Sequence, residues 1–186
     1  MASSVKARRA EPRALRRAAP AALGAAALLL ALMGACGSEM APLEAPASTQ
    51  GPIHWMLQSS EGERFDLAAY RGRPTLLFVF ATWDGASQAA LRPLGRFVRH
   101  HPEVAVLGLA AQPDAETLAT LWAEALSPPF LVAIDPEEEL TAGTSPLGRL
   151  EAIPAYVMLN ASGVEADRQI GFASLGRLER MLDAAE

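Results

Sequence analysis

Thr75 to Thr82 is almost uninterrupted in aliphatic, aromatic and β-branched residues, and it runs straight into Trp83-Asp84-Gly85-Ala86-Ser87. A run of that length without polar alternation fits a strand buried on both faces. Helical spacing takes over at once: from Ala86 to His100, Ala90, Leu91, Leu94, Phe97 and Val98 recur on one side. Pro93 removes one backbone donor from that helix and is expected to bend it. Val104 to Leu109 reads as a second buried strand. Strand, helix and strand in this order imply a right-handed crossover and a parallel pair. The chain is therefore constrained to a layered α/β fold.

The flanking segments extend the pattern. His54 to Leu57 and Arg64 to Leu67 flank Ser59-Ser60-Glu61-Gly62, a hairpin with a glycine-bearing turn. Asp114 to Leu126 reads as a second helix with Asp114 as N-cap. Phe130 to Ile134 is a third strand ended by Asp135-Pro136, and Glu137-Glu138-Glu139 is expected to start a short helix at whose N-terminus carboxylates are favoured. Ala155 to Leu159 and Val164 to Ile170 flank Asn160-Ala-Ser-Gly163, a second hairpin signal. Ser174 to Ala185 closes the chain as an amphipathic helix with Leu175, Leu178, Met181 and Leu182 inward. The expected fold is a mixed central sheet with helices on both faces and an N-terminal β-hairpin.

Residues 1–35 read as an export signal rather than as fold. Lys6, Arg8, Arg9, Arg13, Arg16 and Arg17 make a basic start, and Ala18 to Ala35 is uncharged and rich in Ala and Leu. Leu32-Met33-Gly34-Ala35-Cys36 resembles a bacterial lipobox, which implies cleavage before Cys36 and acylation of its sulfur. The alternative is an uncleaved anchor, since about 20 apolar residues suffice to span a bilayer. Either reading places the domain outside the cytoplasm, on the periplasmic or outer face of a bacterial membrane. The Arg16-Arg17 pair is a poor match to twin-arginine export. Residues 36–51, with Pro42, Pro46, Ser48 and Thr49, read as the lipidated cysteine and a flexible tether. Residues 52–186 then form one domain, long enough for a core without disulfides.

Beyond residue 35 the chain carries 10 arginines, no lysine and 20 carboxylates, a net charge of −10. Nucleic-acid binding needs a basic face, so that class is excluded, and binding to anionic lipid headgroups is disfavoured.

Four segments carry a family resemblance. Phe65-Asp-Leu-Ala-Ala-Tyr-Arg-Gly-Arg-Pro74, Phe78-Val-Phe-Ala-Thr-Trp83, Leu131 to Pro136 and Ala152-Ile153-Pro154-Ala155-Tyr156-Val-Met-Leu-Asn160 with Gly163 resemble, in order and spacing, the thioredoxin fold of TlpA-like membrane-tethered thiol-disulfide oxidoreductases. The resemblance spans Ile53 to Leu182. It implies a cis bond before Pro154 and a groove in which the backbone of Ile153 faces an extended substrate chain. It also implies that Asp84 and Ser87 stand where the family carries Cys-x-x-Cys. Cys36 is the only cysteine of the 186 residues, and dithiol exchange needs an attacking thiolate and a resolving sulfur.

The candidate groove is thus Trp83, Asp84, Ser87, Ile153 and Pro154, with no catalytic residue expected. A helix N-terminus that would acidify a thiol instead favours an ionised aspartate, and Asp84 is expected to cap the helix with help from Ser87. Trp83 is expected to pack, with an exposed ring on the lip of the groove as the alternative. Hydrolysis by Ser87 would need a histidine partner. His100 and His101 fall at the far end of the helix, and His54 reads as a surface residue. Copper binding of the Sco type needs thiolates, peroxidase chemistry needs sulfur, and Glu137 to Glu139 is too short for a calcium loop. No metal and no cofactor is expected. The reading is a peptide- or protein-binding module, with an indirect role in thiol-disulfide exchange as the alternative.

Overall fold

The structure, a computed structural model, describes residues 51–186. The expected export signal, Cys36 and residues 36–50 of the tether lie outside them.

The buried run becomes strand β3, Thr75–Phe80, and every residue of it is buried. Side chains alternate across a strand, so this run feeds two cores at once. Leu76, Phe78 and Phe80 enter one core, Leu77 and Val79 the other. The remaining strands are β1 Met56–Ser59, β2 Arg64–Asp66, β4 Ala105–Ala110, β5 Leu131–Ile134, β6 Ala155–Leu159 and β7 Glu165–Ile170. They form one sheet in the order β2-β1-β5-β4-β3-β6-β7. Strands β3, β4 and β5 are parallel; the pairs that add β1, β2, β6 and β7 are antiparallel.

The parallel crossovers are helices α1, Gly85–His100, and α2, Ala115–Leu126. Two crossovers of the same hand, each moving one strand in the same direction, leave both helices on one side of the sheet. The last helix, α4 Leu175–Asp183, joins them there. Ala90, Leu94 and Phe97 of α1, Ala119 and Trp122 of α2, and Leu178, Met181 and Leu182 of α4 close over Phe78, Phe80 and Tyr156. The rings of Phe78 and Phe80 stack at 5.3 Å, and Trp122 lies 4.5 Å from Phe80. The other face is covered by less regular structure. Ile53, Trp55, Leu67 from a 3-10 turn (Leu67–Tyr70), Leu140 from the short helix α3 (Glu139–Ala142), and Leu147 pack there. The expected mixed sheet with helices on both faces is what forms, with its helical mass unevenly divided.

Several element bounds differ from the sequence reading for local reasons. The first strand runs Met56–Ser59 rather than His54 to Leu57: its ladder with β2 starts at Met56↔Asp66, and pairing with β5 through Gln58↔Ile134 and Ser59↔Ala133 carries it to Ser59. The Ser59 hydroxyl accepts N–H bonds from Glu61 and Glu63 and shapes the hairpin turn. Asp114 stands at the N-cap position of α2 but is left-handed (φ 53°), and its carboxylate makes no capping bond. An N-cap aims its side chain at the first turn from an extended backbone, which this residue lacks. For α3 the capping acceptor is Asp135, whose carboxylate takes the N–H of Leu140 at 2.7 Å and of Glu137 at 3.2 Å. Helix α1 runs through Pro93 as one continuous element.

Candidate functional site

Strand β3, interior to the sheet, carries its C-terminal residues to one end of the strands, where the chain turns into α1. Two buried or bridging glutamines fix that turn. Gln112, at the end of β4 and 4% exposed, accepts the Thr82 N–H at 2.6 Å, while Gln88 donates to the Thr82 carbonyl at 3.0 Å. Neither glutamine was singled out in the sequence. The signal available for Gln112 was only a polar residue closing an apolar strand, and its partner lies 30 positions away.

Asp84 is the N-cap of α1. One oxygen of its carboxylate accepts both the backbone N–H and the hydroxyl of Ser87, each at 2.7 Å. These donors, the hydroxyl first and then the N–H groups of Ser87 and Ala86, hold the Asp84 carboxyl below its usual range against a smaller opposing effect of burial. The group is ionised at neutral pH and has no proton to offer as a general acid. Ser87 is fully buried, and its hydroxyl proton is already committed to Asp84. The histidines do not reach it. His100 and His101 stand at the other end of α1, roughly 20 Å away at 1.5 Å per residue, where His101 meets Glu103. The His54 ring lies 2.8 Å from Arg71 and near Asp66. Nucleophilic hydrolysis has no apparatus here.

Trp83 does not take the packing role expected first: it is 70% exposed. Its exposure is that of the alternative reading. A side chain just past the last buried residue of the strand has no layer above it to enter. The opposite wall comes from the start of β6. The Ile153–Pro154 bond is cis, as the resemblance implied. The antiparallel register Val79↔Ala155 sets the residues before β6 beside those after β3, so the Trp83–Asp84 turn and Ile153–Pro154 occupy the same end of neighbouring strands. Pro154 is buried, and its carbonyl accepts the N–H of Gly171 at 2.8 Å. The Ile153 side chain packs against the core that holds Leu77 and Val79, while neither its N–H nor its C=O finds a partner among the described residues. Phe172, next to Gly171, is 52% exposed and borders the same end of the fold. The sequence reading missed it, since a lone aromatic in a loop carries no periodic signal.

The site thus holds an ionised, satisfied carboxylate, a buried hydroxyl, an exposed indole and an open pair of backbone groups. Among the described residues no cluster of three or more His, Cys, Asp or Glu is placed to hold a metal ion.

No curated protein matches the chain with significance. Solved structures do. StoA from Bacillus subtilis is similar at 19% identity and a TM-score of 0.56, covering 70% of this chain and 96% of that one. A secreted Mycobacterium tuberculosis disulfide oxidoreductase, homologous to E. coli DsbE, is similar at 19% identity and a TM-score of 0.56, covering 70% and 95%. The pneumococcal exposed lipoprotein thioredoxin of Streptococcus pneumoniae is similar at 17% identity and a TM-score of 0.58, covering 70% and 98%. These likenesses establish a thioredoxin-like fold. Residues 41–182 match the Redoxin family, and the chain belongs to that family.

Proposed function

We propose that this chain is a cell-envelope lipoprotein of TlpA-like descent whose thioredoxin-like domain has no redox chemistry of its own and binds an extended peptide segment of another envelope protein. The observation that carries this reading is the combination at one end of the sheet: no sulfur at Asp84 or Ser87, an Ile153 backbone without a partner among the described residues, and an exposed Trp83. Adding a strand to open backbone groups supplies affinity through main-chain bonds and leaves specificity to neighbouring side chains. An indole with an apolar body and a polar N–H is a common anchor for such a partner. Export is supported by the basic and apolar leader ending in Cys36 and by solved relatives described as a secreted oxidoreductase and an exposed lipoprotein. Attachment to the membrane rests on Cys36; the mass of the membrane-extracted chain reports its acylation.

Peptides selected from a random library against the full chain test the groove. They are expected to protect the Ile153 amide from hydrogen exchange and to lose about tenfold or more in affinity on Trp83→Ala, as at a binding hot spot. Trp83 is too exposed for that substitution to disturb the core. Peptides that bind equally well to Trp83→Ala and leave Ile153 unprotected contradict the groove.

The alternative, an indirect part in thiol-disulfide exchange, is supported by the similar structure described as a disulfide oxidoreductase. It requires a partner that brings both sulfurs.

A further inference from the structure

Helix α1 carries an unusual charge distribution. The described residues hold 10 arginines and 18 carboxylates, yet the 16 residues of α1 contain no acid. Arg92, Arg96 and Arg99 stand at i, i+4 and i+7, which places them within about 60° of one another around the helix and along about 10 Å of its length. All three are exposed. None makes a hydrogen bond or ion pair with another described residue, whereas Arg64, Arg168 and Arg177 each pair with a carboxylate. The helix dipole accounts for Arg99 and His100 in the last turn. It gives no reason for Arg92 and Arg96 in mid-helix.

Apolar ground flanks this ridge. On one side Ala89, Pro93, Phe172 and Leu175 line a hollow of about 290 Å³ with Arg92 and Arg96 on its rim. On the other side Leu91, Leu126, Pro128 and Pro129 line a second hollow of about 520 Å³, with Arg92, Arg96 and Arg99 also in its wall. Phe172 and Leu126 are both about half exposed. An apolar hollow beside Phe172 and a mixed one beside Leu126, both rimmed by unpaired guanidinium groups, have the anatomy of a protein-binding surface.

We propose that the outer face of α1 docks an acidic segment of a partner protein, with carboxylates on Arg92, Arg96 and Arg99 and an apolar side chain in the hollow beside Phe172. The guanidinium fork matches a carboxylate in two parallel bonds, which a lysine in the same place would not supply. Charge complementarity selects the occupant. The rest of the domain is strongly acidic and repels an anionic bilayer, while a short acidic segment meets only the ridge. The hollows take single side chains, which a lipid surface does not offer. The ridge stands on its own residues and does not depend on the groove at Ile153.

Fluorescence anisotropy with the full chain in neutral detergent tests it. The probe is a labelled 12-residue peptide of Glu and Asp with two Phe residues, compared with versions carrying Gln or Lys for the acids. The acidic probe is expected to bind in preference to both and to weaken as salt rises from 50 to 300 mM, concentrations that span weak to strong screening, with Debye lengths of about 14 to 6 Å. Arg92→Glu/Arg96→Glu is expected to reduce its affinity about fivefold or more. Arg64→Glu/Arg149→Glu, which changes net charge equally but lies elsewhere, is expected to leave it within about twofold. Equal loss in both doubles, equal binding of the Lys probe, or no binding of the acidic probe at low salt overturns the proposal. So does flotation with phosphatidylglycerol vesicles that depends on Arg92 and Arg96 when the acidic probe does not bind. Trp83→Ala separates the two sites: it is expected to leave acidic-probe binding intact even if the groove fails.

Discussion

Ser87 has no solvent exposure, and both of its donors end on one oxygen of Asp84. Replacing Asp84 by Ala removes an N-cap and leaves a buried hydroxyl without its acceptor, so Asp84→Ala is expected to cost about 1–2 kcal/mol in urea unfolding. The same bonds make the site pH-dependent. Because the folded-state pKa of Asp84 lies below the ordinary 3.8, its ionised form stabilises the fold above that value, and the contribution is lost as pH falls through the folded pKa. Asp84→Asn keeps a capping side chain without the charge. Its stability deficit relative to the parent is expected at neutral pH and should shrink below pH 3.8; a deficit independent of pH contradicts this account. The cap was legible in the sequence because it is local: an acid three residues before a serine at the start of a helical pattern. Gln112 was not, because its bond to Thr82 joins two strand ends that only the folded sheet brings together. Trp83 was misjudged for a related reason. Its hydrophobicity is visible in sequence, but whether a layer lies above the strand end is not.

Among the elements, β3, β4 and α1 could be read closely from the sequence, because a doubly buried strand and an amphipathic helix have strong periods of their own. Elements whose bounds depend on partners were less clear. Strand β1 extends to Ser59 because β5 is there to pair with it. Helix α3 starts where Asp135 caps it rather than where the glutamate run begins. Gly108 shows how tightly the β4 layer is packed: a Cβ there would come within 2.7 Å of the Phe130 ring, which itself stands edge-on to Phe78. Gly108→Ala is therefore expected to destabilise the domain by about 1–3 kcal/mol through overpacking, although alanine ordinarily suits a strand better than glycine. Thermal unfolding of Gly108→Ala, alone and with Phe130→Leu, checks this. The second substitution should recover part of the loss by vacating the space. The arginine ridge of α1 was also present in the sequence as a spacing of four and three, but only the fold shows that Arg92 and Arg96 have no carboxylate neighbour among the described residues.

For the molecule as a whole, the sheet order brings the end of β3 beside the start of β6 and so assembles a site from residues 70 positions apart. That juxtaposition was expected from resemblance rather than from composition or periodicity, which carry no information about which strands are neighbours. The chain keeps this architecture with a carboxylate and a hydroxyl in the first turn of α1. The N–H groups of the helix N-terminus, which add to the Ser87 hydroxyl in holding Asp84 ionised, would also lower the pKa of a thiol placed there. Asp84→Cys/Ser87→Cys is accordingly expected to gain measurable disulfide-exchange activity on an otherwise unchanged fold. The most direct measurement is insulin reduction by dithiothreitol in the presence of the full chain carrying Cys36→Ser, which contains no sulfhydryl. The account predicts a rate equal to the dithiothreitol blank, with turnover above it once Cys replaces Asp84 and Ser87 on the same background. Turnover above the blank by the chain without cysteine would contradict it.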